Sequence, residues 1–243
     1  SLHAYICAPA AFNLPAEDRD AMREAELARH EAWLEKLIAP YNEKDCSITH
    51  EVESSDDWRA ALAPAAERAG ADLIVKPSYR RTALQRRFVK TSDWTLLRTA
   101  KCPVLFVKAG HMREFDKILL AINLAAKDKT HAALNDEVLA YGKAVADLTN
   151  AELHVVNAYE GSENFLHPPD VAKKTGTSRD RVHVSDADPE ELIAEVSEKL
   201  GSPLVIIGSV ARTGMNAAVV GNTAERILDR LATDVLVIVK GRT

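Results

Sequence analysis

The chain repeats itself, and this repeat limits what it can fold into more than any other feature. Displaced by 131 residues, Asp57 falls on Asp188, Gly70 on Gly201, Leu73 on Leu204 and Ser78 on Ser209. Arg81-Thr82 falls on Arg212-Thr213, Val89 on Val220, Leu97 on Leu228, and Val104-Leu105 on Val235-Leu236. The register holds for about fifty residues without a gap, which marks a duplicated structural unit. Upstream the displacement is 151, where Leu2-His3 falls on Leu153-His154. The second copy is therefore shorter between the two blocks. Two domains follow, 1–110 and 111–243, a division that suits 243 residues.

In the first copy, a strand is expected at Leu2–Ala8, then an amphipathic helix from about Glu17 to Ala39. Leu27, Leu34 and Ile38 recur there at helical spacing. A strand near Ser47–Val52, a helix from Asp57 to Ala69 and the apolar strand Leu73–Val75 come next. A loop from Pro77 to Thr91, a helix Ser92–Ala100 and a strand Val104–Lys108 complete the copy.

The second copy opens with Lys117–Asn123, apolar on both faces as central parallel strands are. A helix from about Thr130 to Leu148 presents Leu134, Val138, Tyr141, Val145 and Leu148 on one face. A strand Leu153–Ala158 and an irregular polar segment to about Asp180 follow, then a strand Val182–Val184. A helix Pro189–Leu200, a strand Leu204–Ile207, a loop, a helix Ala224–Leu231 and a strand Val235–Val239 end it. Strands alternating with helices predict α/β domains, each a doubly wound parallel sheet.

The first copy has no counterpart of Lys117–Asn123 or of the helix after it. Its sheet would lack the leading strand and leave backbone groups unpaired. We therefore expect a polypeptide that starts earlier and carries more residues near Phe165–Lys173.

Composition narrows the functional classes. No apolar run approaches the roughly 18 residues of a membrane span, and no basic-then-apolar leader opens the chain. Cys7, Cys46 and Cys102 are odd in number and scattered, which excludes a disulfide framework or a CxxC site and points to a reducing cytoplasm. The net charge of −5 argues against a general nucleic-acid binder. No HExxH, zinc spacing or GxxxxGK[ST] run is present, and Ser209 lies outside any GxSxG elbow. His3 and His154 share a repeat position, which suits packing between strands better than metal ligation.

One stretch can hold a ligand. Leu204–Ile207 stops at Gly208, a small-residue loop follows, and Gly221-Asn222-Thr223 opens a helix. A strand, a glycine loop and a helix start make an anion-binding arrangement. The stretch reads Gly208-x2-Ala211-x9-Gly221-Asn222-Thr223, and it resembles the G-x2-G-x9-G-(S/T) nucleotide motif of universal stress protein domains. KILLAIN, LHVVNAY, GSVARTGMNAAVVGNTAERILDRL and TDVLVIVK fall in that family's order, and the first copy follows more weakly. The tandem arrangement looks most like the E-type, double-domain members.

The resemblance implies the adenine nucleotide alpha hydrolase-like fold and a crevice between Asn123 and Gly208. It implies ATP as ligand in the second domain only, with Mg²⁺ when ATP is bound. Family members that hold ATP place an aspartate at the Asn123 position. Val155 matches a strand valine beside the adenine, and Gly208, Ala211, Gly221, Asn222 and Thr223 match the loop around ribose and phosphates. Val155, Val156, Val210, Val219 and Val220 could instead line an apolar pocket. The chain departs from the pattern at three places. Asn123 lacks the carboxylate charge, Ala211 adds a methyl, and Asn222 replaces a hydroxyl residue. Asn222 with Glu225 also fits a capping box, which would only start a helix. A working nucleotide site and a relic both remain open.

In the first copy Gly208 maps to Pro77, Ala211 to Arg80, Gly214 to Ala83 and Gly221 to Lys90. Proline removes a donor N–H, so no nucleotide is expected there. Arg80, Arg81, Arg86, Arg87 and Lys90 make either a solvated basic face or a patch for phosphate or an acidic partner. The expected function is a non-catalytic binding module of the cytoplasmic stress response with no catalytic or metal residue. The alternatives are a slow ATPase or phosphotransfer enzyme, or a binder of a lipid-like ligand. Family members commonly pair through their last strands. The resemblance therefore implies Val104–Val107 beside Val235–Val239 as an intramolecular pseudo-dimer, with homo-oligomers left open.

Overall fold

Two strands near the amino terminus pair in parallel. They are β1 (Leu2–Pro9) and β2 (Ile48–Ser55), with Leu2 opposite Ile48 and Pro9 opposite Ser55. Parallel pairing demands a crossover, and α1 (Ala16–Ile38) provides it, followed by a 3-10 turn at Ala39–Tyr41. Its buried residues are Leu34 and Ile38, four apart, with Leu27 half-buried. His50 on β2 meets Glu31 of α1 at 2.7 Å. In this computed structural model the described residues are 1–10, 16–41, 46–79, 92–108, 115–126, 128–210 and 223–239.

The helix after β2 starts later than expected. It is α2 (Leu62–Arg68), and Asp57 lies in the turns before it. Pro64 explains the delay. A helix begun at Asp57 would place that ring in its interior, where it clashes with the preceding turn and lacks an N–H. Beginning at Leu62 puts Pro64 in the first turn, which tolerates it. Ser1–Ala71 form one compact unit and Asp72–Thr243 a second.

The second unit is built on a seven-stranded sheet. Its strands are β3 (Ile74–Ser78), β4 (Val104–Lys108), β5 (Lys117–Ala121), β6 (Glu152–Tyr159), β7 (Val182–Asp186), β8 (Leu204–Ser209) and β9 (Asp234–Val239). The order is β3-β4-β9-β8-β5-β6-β7. Every neighbouring pair is parallel except β4 and β9, where Val104 faces Val237 and Phe106 faces Val235. β3 runs through Pro77, where a loop was expected to begin. Proline is tolerated there because β3 is an edge strand.

β1 and β2 form a two-stranded sheet. In the seven-stranded sheet the leading strand of the second copy, β5, lies between β8 and β6, and β3 is an edge with no further strand partner among the described residues.

Helices cover both faces of the large sheet. α4 (Lys129–Thr149) and α5 (Pro168–Thr175) share a core with Ile118, Leu120, Val155 and Ile206 through Leu134, Val138 and Val171. α6 (Pro189–Leu200) and α7 (Thr223–Arg230) pack on each other and on the opposite face. α3 (Ser92–Thr99) follows β3.

The buried stripe of α4 is Leu134, Val138, Gly142 and Ala146, at four-residue spacing. Tyr141 and Leu148, expected on that stripe, are exposed, Leu148 at 86%. Gly142 is where the helix comes closest to the sheet, since a Cβ there would lie 2.8 Å from Leu120 Cδ1. The segment expected to be irregular up to Asp180 contains α5, which starts on proline and stops at Gly176 with φ +69°.

Candidate functional site

Parallel strands that diverge on opposite sides of a sheet leave a crevice beyond their carboxyl ends. Here β5 and β8 are such neighbours, with α4 over one face and α6 and α7 over the other. A cavity of about 260 Å³ opens at that point. Ala121, Ile122 and Asn123 at the end of β5, Val156 and Ala158 of β6, and Ile207, Gly208 and Val210 at the end of β8 line it. His131, Leu134 and Asn135 of α4, Pro189 and Ile193 of α6, and Thr223, Ala224 and Ile227 of α7 complete the wall. Among the described residues that line the crevice, the polar side chains are Asn123, Asn135, His131 and Thr223, and the rest are apolar.

Of the residues expected to bind a ligand, Asn123, Gly208, Val210 and Thr223 come together around this cavity. Val155 does not. It is fully buried in the core under α4, while its neighbour Val156 lines the crevice. Side chains alternate along a strand, so a one-residue change in assignment reverses the face. Ala211, Val219, Val220, Gly221 and Asn222 lie outside the described residues, as do Arg80, Arg81, Arg86, Arg87 and Lys90.

Gly208 has a structural reason for being glycine. A Cβ there would lie 2.7 Å from Leu134 Cγ and 2.8 Å from Cδ2. The side chain of α4 fills that space, so close helix packing by itself requires glycine at 208.

A ring of amides that sequence reasoning missed shapes the crevice floor. Asn135 Nδ2 donates to the Asn123 carbonyl at 2.8 Å, and its Oδ1 accepts from the Asn123 N–H at 3.0 Å. Asn123 Oδ1 accepts in turn from the Ala126 N–H at 3.1 Å, closing an Asx turn. Asn157, only 1% exposed, accepts from the Leu124 N–H at 2.8 Å and donates to the Ala158 carbonyl at 2.8 Å. A lone amide inside the apolar run Val155–Ala158 was the available signal, because buried polar residues carry more information than buried apolar ones.

Asp128 caps α4 by accepting from the His131 N–H at 3.0 Å and also meets His131 Nδ1 at 2.6 Å. The His131 N–H and imidazole, in that order, hold its carboxyl below the usual aspartate range. Thr223 begins α7, and the next-but-one residue, Glu225, is 1% exposed. Both its oxygens accept from Arg98 of α3, at 2.7 and 3.1 Å, while Asn222, its expected capping-box partner, lies outside the described residues.

A profile of the universal stress protein family matches residues 3–108 and 119–239. The chain belongs to that family. It is a tandem universal stress protein, with one match on each copy. Universal stress protein E of Escherichia coli K12 is 29% identical over 93% of this chain and 78% of its own length. A universal stress protein E homolog of Haemophilus influenzae is 27% identical over 92% of this chain and 80% of its own.

A functionally unknown Pseudomonas aeruginosa PAO1 protein superposes with a TM-score of 0.74 at 26% identity, covering 98% of this chain and 92% of its own. A universal stress protein of Archaeoglobus fulgidus shares the fold, with a TM-score of 0.72 at 17% identity over 98% of this chain and 86% of its own. The family match and the compact units divide this stress protein differently. β3, α3 and β4 belong in sequence to the first match, yet they lie in the second compact unit.

Two other clusters carry titratable side chains close together. Glu31, Glu35 and His50 place ligand-type atoms within 4.8 Å of one another, but Glu31 and His50 already hydrogen-bond each other. His154 and His183 stack at 5.5 Å on β6 and β7. Among the described residues no helix is long and apolar enough to cross a membrane.

Proposed function

We propose that this universal stress protein is a non-catalytic, cytoplasmic binding module that holds a nucleotide, ATP being the candidate, in the crevice of its second copy. The observation that carries the reading is the apolar cavity at the β5–β8 switch point, edged by Asn123, Gly208 and Thr223. An apolar body with few polar groups at its rim suits a planar base with a polar tail. Among the described residues no carboxylate lines the cavity. Any Mg²⁺ would then be carried by the ligand's own phosphates, and no side chain there is placed as a carboxylate base for hydrolysis. This favours binding over turnover. Three free thiols, Cys7, Cys46 and Cys102, fit a reducing compartment.

The apolar lining also favours a second reading, a lipid-like occupant of the same cavity. Denaturing the purified protein and identifying the released small molecules by mass spectrometry separates the two. A nucleotide at near-stoichiometric yield supports the first reading, and an acyl-bearing molecule supports the second. An empty protein whose melting temperature does not rise with ATP and Mg²⁺ would overturn the nucleotide reading.

A further inference from the structure

We infer that His131 selects a phosphate-bearing ligand over an uncharged one in the crevice, an inference that rests on the nucleotide reading above. His131 is the only ionisable side chain that lines the cavity among the described residues. The other polar groups there are neutral, and two are already engaged. Asn135 uses both ends of its amide on the Asn123 backbone, and Asn123 uses its carbonyl oxygen on the Ala126 N–H.

The imidazole is held in place before any ligand arrives. A carboxylate only accepts hydrogen bonds, so the 2.6 Å contact with Asp128 makes Nδ1 the donor and fixes the ring. Nε2 is then the nitrogen left for a ligand. In the imidazolium both nitrogens donate, and Nε2–H gives a charge-assisted bond to a phosphate oxygen. The start of α4, a helix from Lys129 to Thr149, adds a dipole of the right sign at the same place. The bound molecule thus has an apolar body in the cavity and a phosphate at the α4 end of its rim.

Titration calorimetry with ATP and with adenosine tests this on the full chain. His131→Ala keeps the cap, because Asp128 bonds the backbone N–H of residue 131. It is expected to weaken ATP about tenfold or more, the loss of a hydrogen bond to a charged group, and to leave adenosine within about twofold. His131→Arg restores part of the ATP preference. As a second measurement, the imidazole ¹⁵N shifts of His131 move on adding ATP and not on adding adenosine. Equal weakening of both ligands, or of neither, overturns the role of His131 while the nucleotide reading stands. Wild-type protein that binds neither compound overturns that reading and this inference together.

Discussion

Arg98 Nε and Nη2 grip the two carboxylate oxygens of Glu225 at 2.7 and 3.1 Å, joining α3 of the first repeat to the first turn of α7. The carboxylate is almost fully buried, whereas the Arg98 side chain is 41% exposed. This pairing raises the Arg98 pKa above its ordinary value. Glu225 follows directly on Thr223 and Ala224, which wall the crevice, so a residue of one copy braces the site of the other.

Removing the guanidinium leaves a buried carboxylate without its partner. Arg98→Ala is expected to destabilise the protein by about 2 kcal/mol, less than the roughly 3–5 kcal/mol of breaking a fully buried pair, because the arginine is partly solvated. Glu225→Gln should cost less, since it leaves no uncompensated charge. Urea denaturation checks the order. A larger loss for Glu225→Gln than for Arg98→Ala would mean that the pair is not what holds α7.

Gly208→Ala forces a methyl into Leu134. A cost of about 1–3 kcal/mol is expected from overpacking. Combining it with Leu134→Ala should recover part of that cost, a favourable coupling that a double-mutant cycle measures. Additive losses would show that the glycine serves something other than helix packing.

Asn157 ties the segment after β5 to β6 by accepting from the Leu124 N–H, a bond no apolar residue can replace. Asn157→Leu leaves the Leu124 N–H without this acceptor and should cost about 1–3 kcal/mol. Amide exchange at Leu124 should quicken with it. Unchanged exchange would place the support of the crevice floor elsewhere.

His154 and His183 predict an acid limit. Burial is the main cause that lowers both pKa values, and at His183 the charges of His154 and Lys199 lower it further. Glu152 opposes the shift at His154, while Arg181 and Lys117 add to it. A lowered pKa means that the unfolded chain takes up protons before the folded one, so stability rises with pH across that window. The contribution is complete above the ordinary histidine value of 6.5 and is lost as pH falls through the depressed values. Stability should therefore drop as pH is lowered through and below 6.5. His183→Gln should flatten the drop, and chemical denaturation across that range decides it.

The repeat made the duplicated α/β units legible, because a displacement held over many residues needs no side-chain detail. The crevice between Asn123 and Gly208 came instead from the family resemblance. Local chemistry was harder to read. Pro64 delays α2, and one position along β6 separates the core valine, Val155, from the crevice valine, Val156. Both depend on a single residue that periodicity averages away. Asn135 left no signal because it works on Asn123, brought close only by the turn after β5.

The antiparallel junction of β4 and β9 reverses the strand direction between the second and third strands of the sheet. Lys108 at the end of β4 meets Asp234 at the start of β9, its N–H bonded to Oδ1 at 2.8 Å. Ser78, which ends β3, and Ser209, which ends β8, accordingly lie on opposite rims of one sheet. Duplication here did not place two equivalent openings side by side. Substitutions at the rim that ends in Ser78 could accumulate without altering the opposite rim, where the crevice lies.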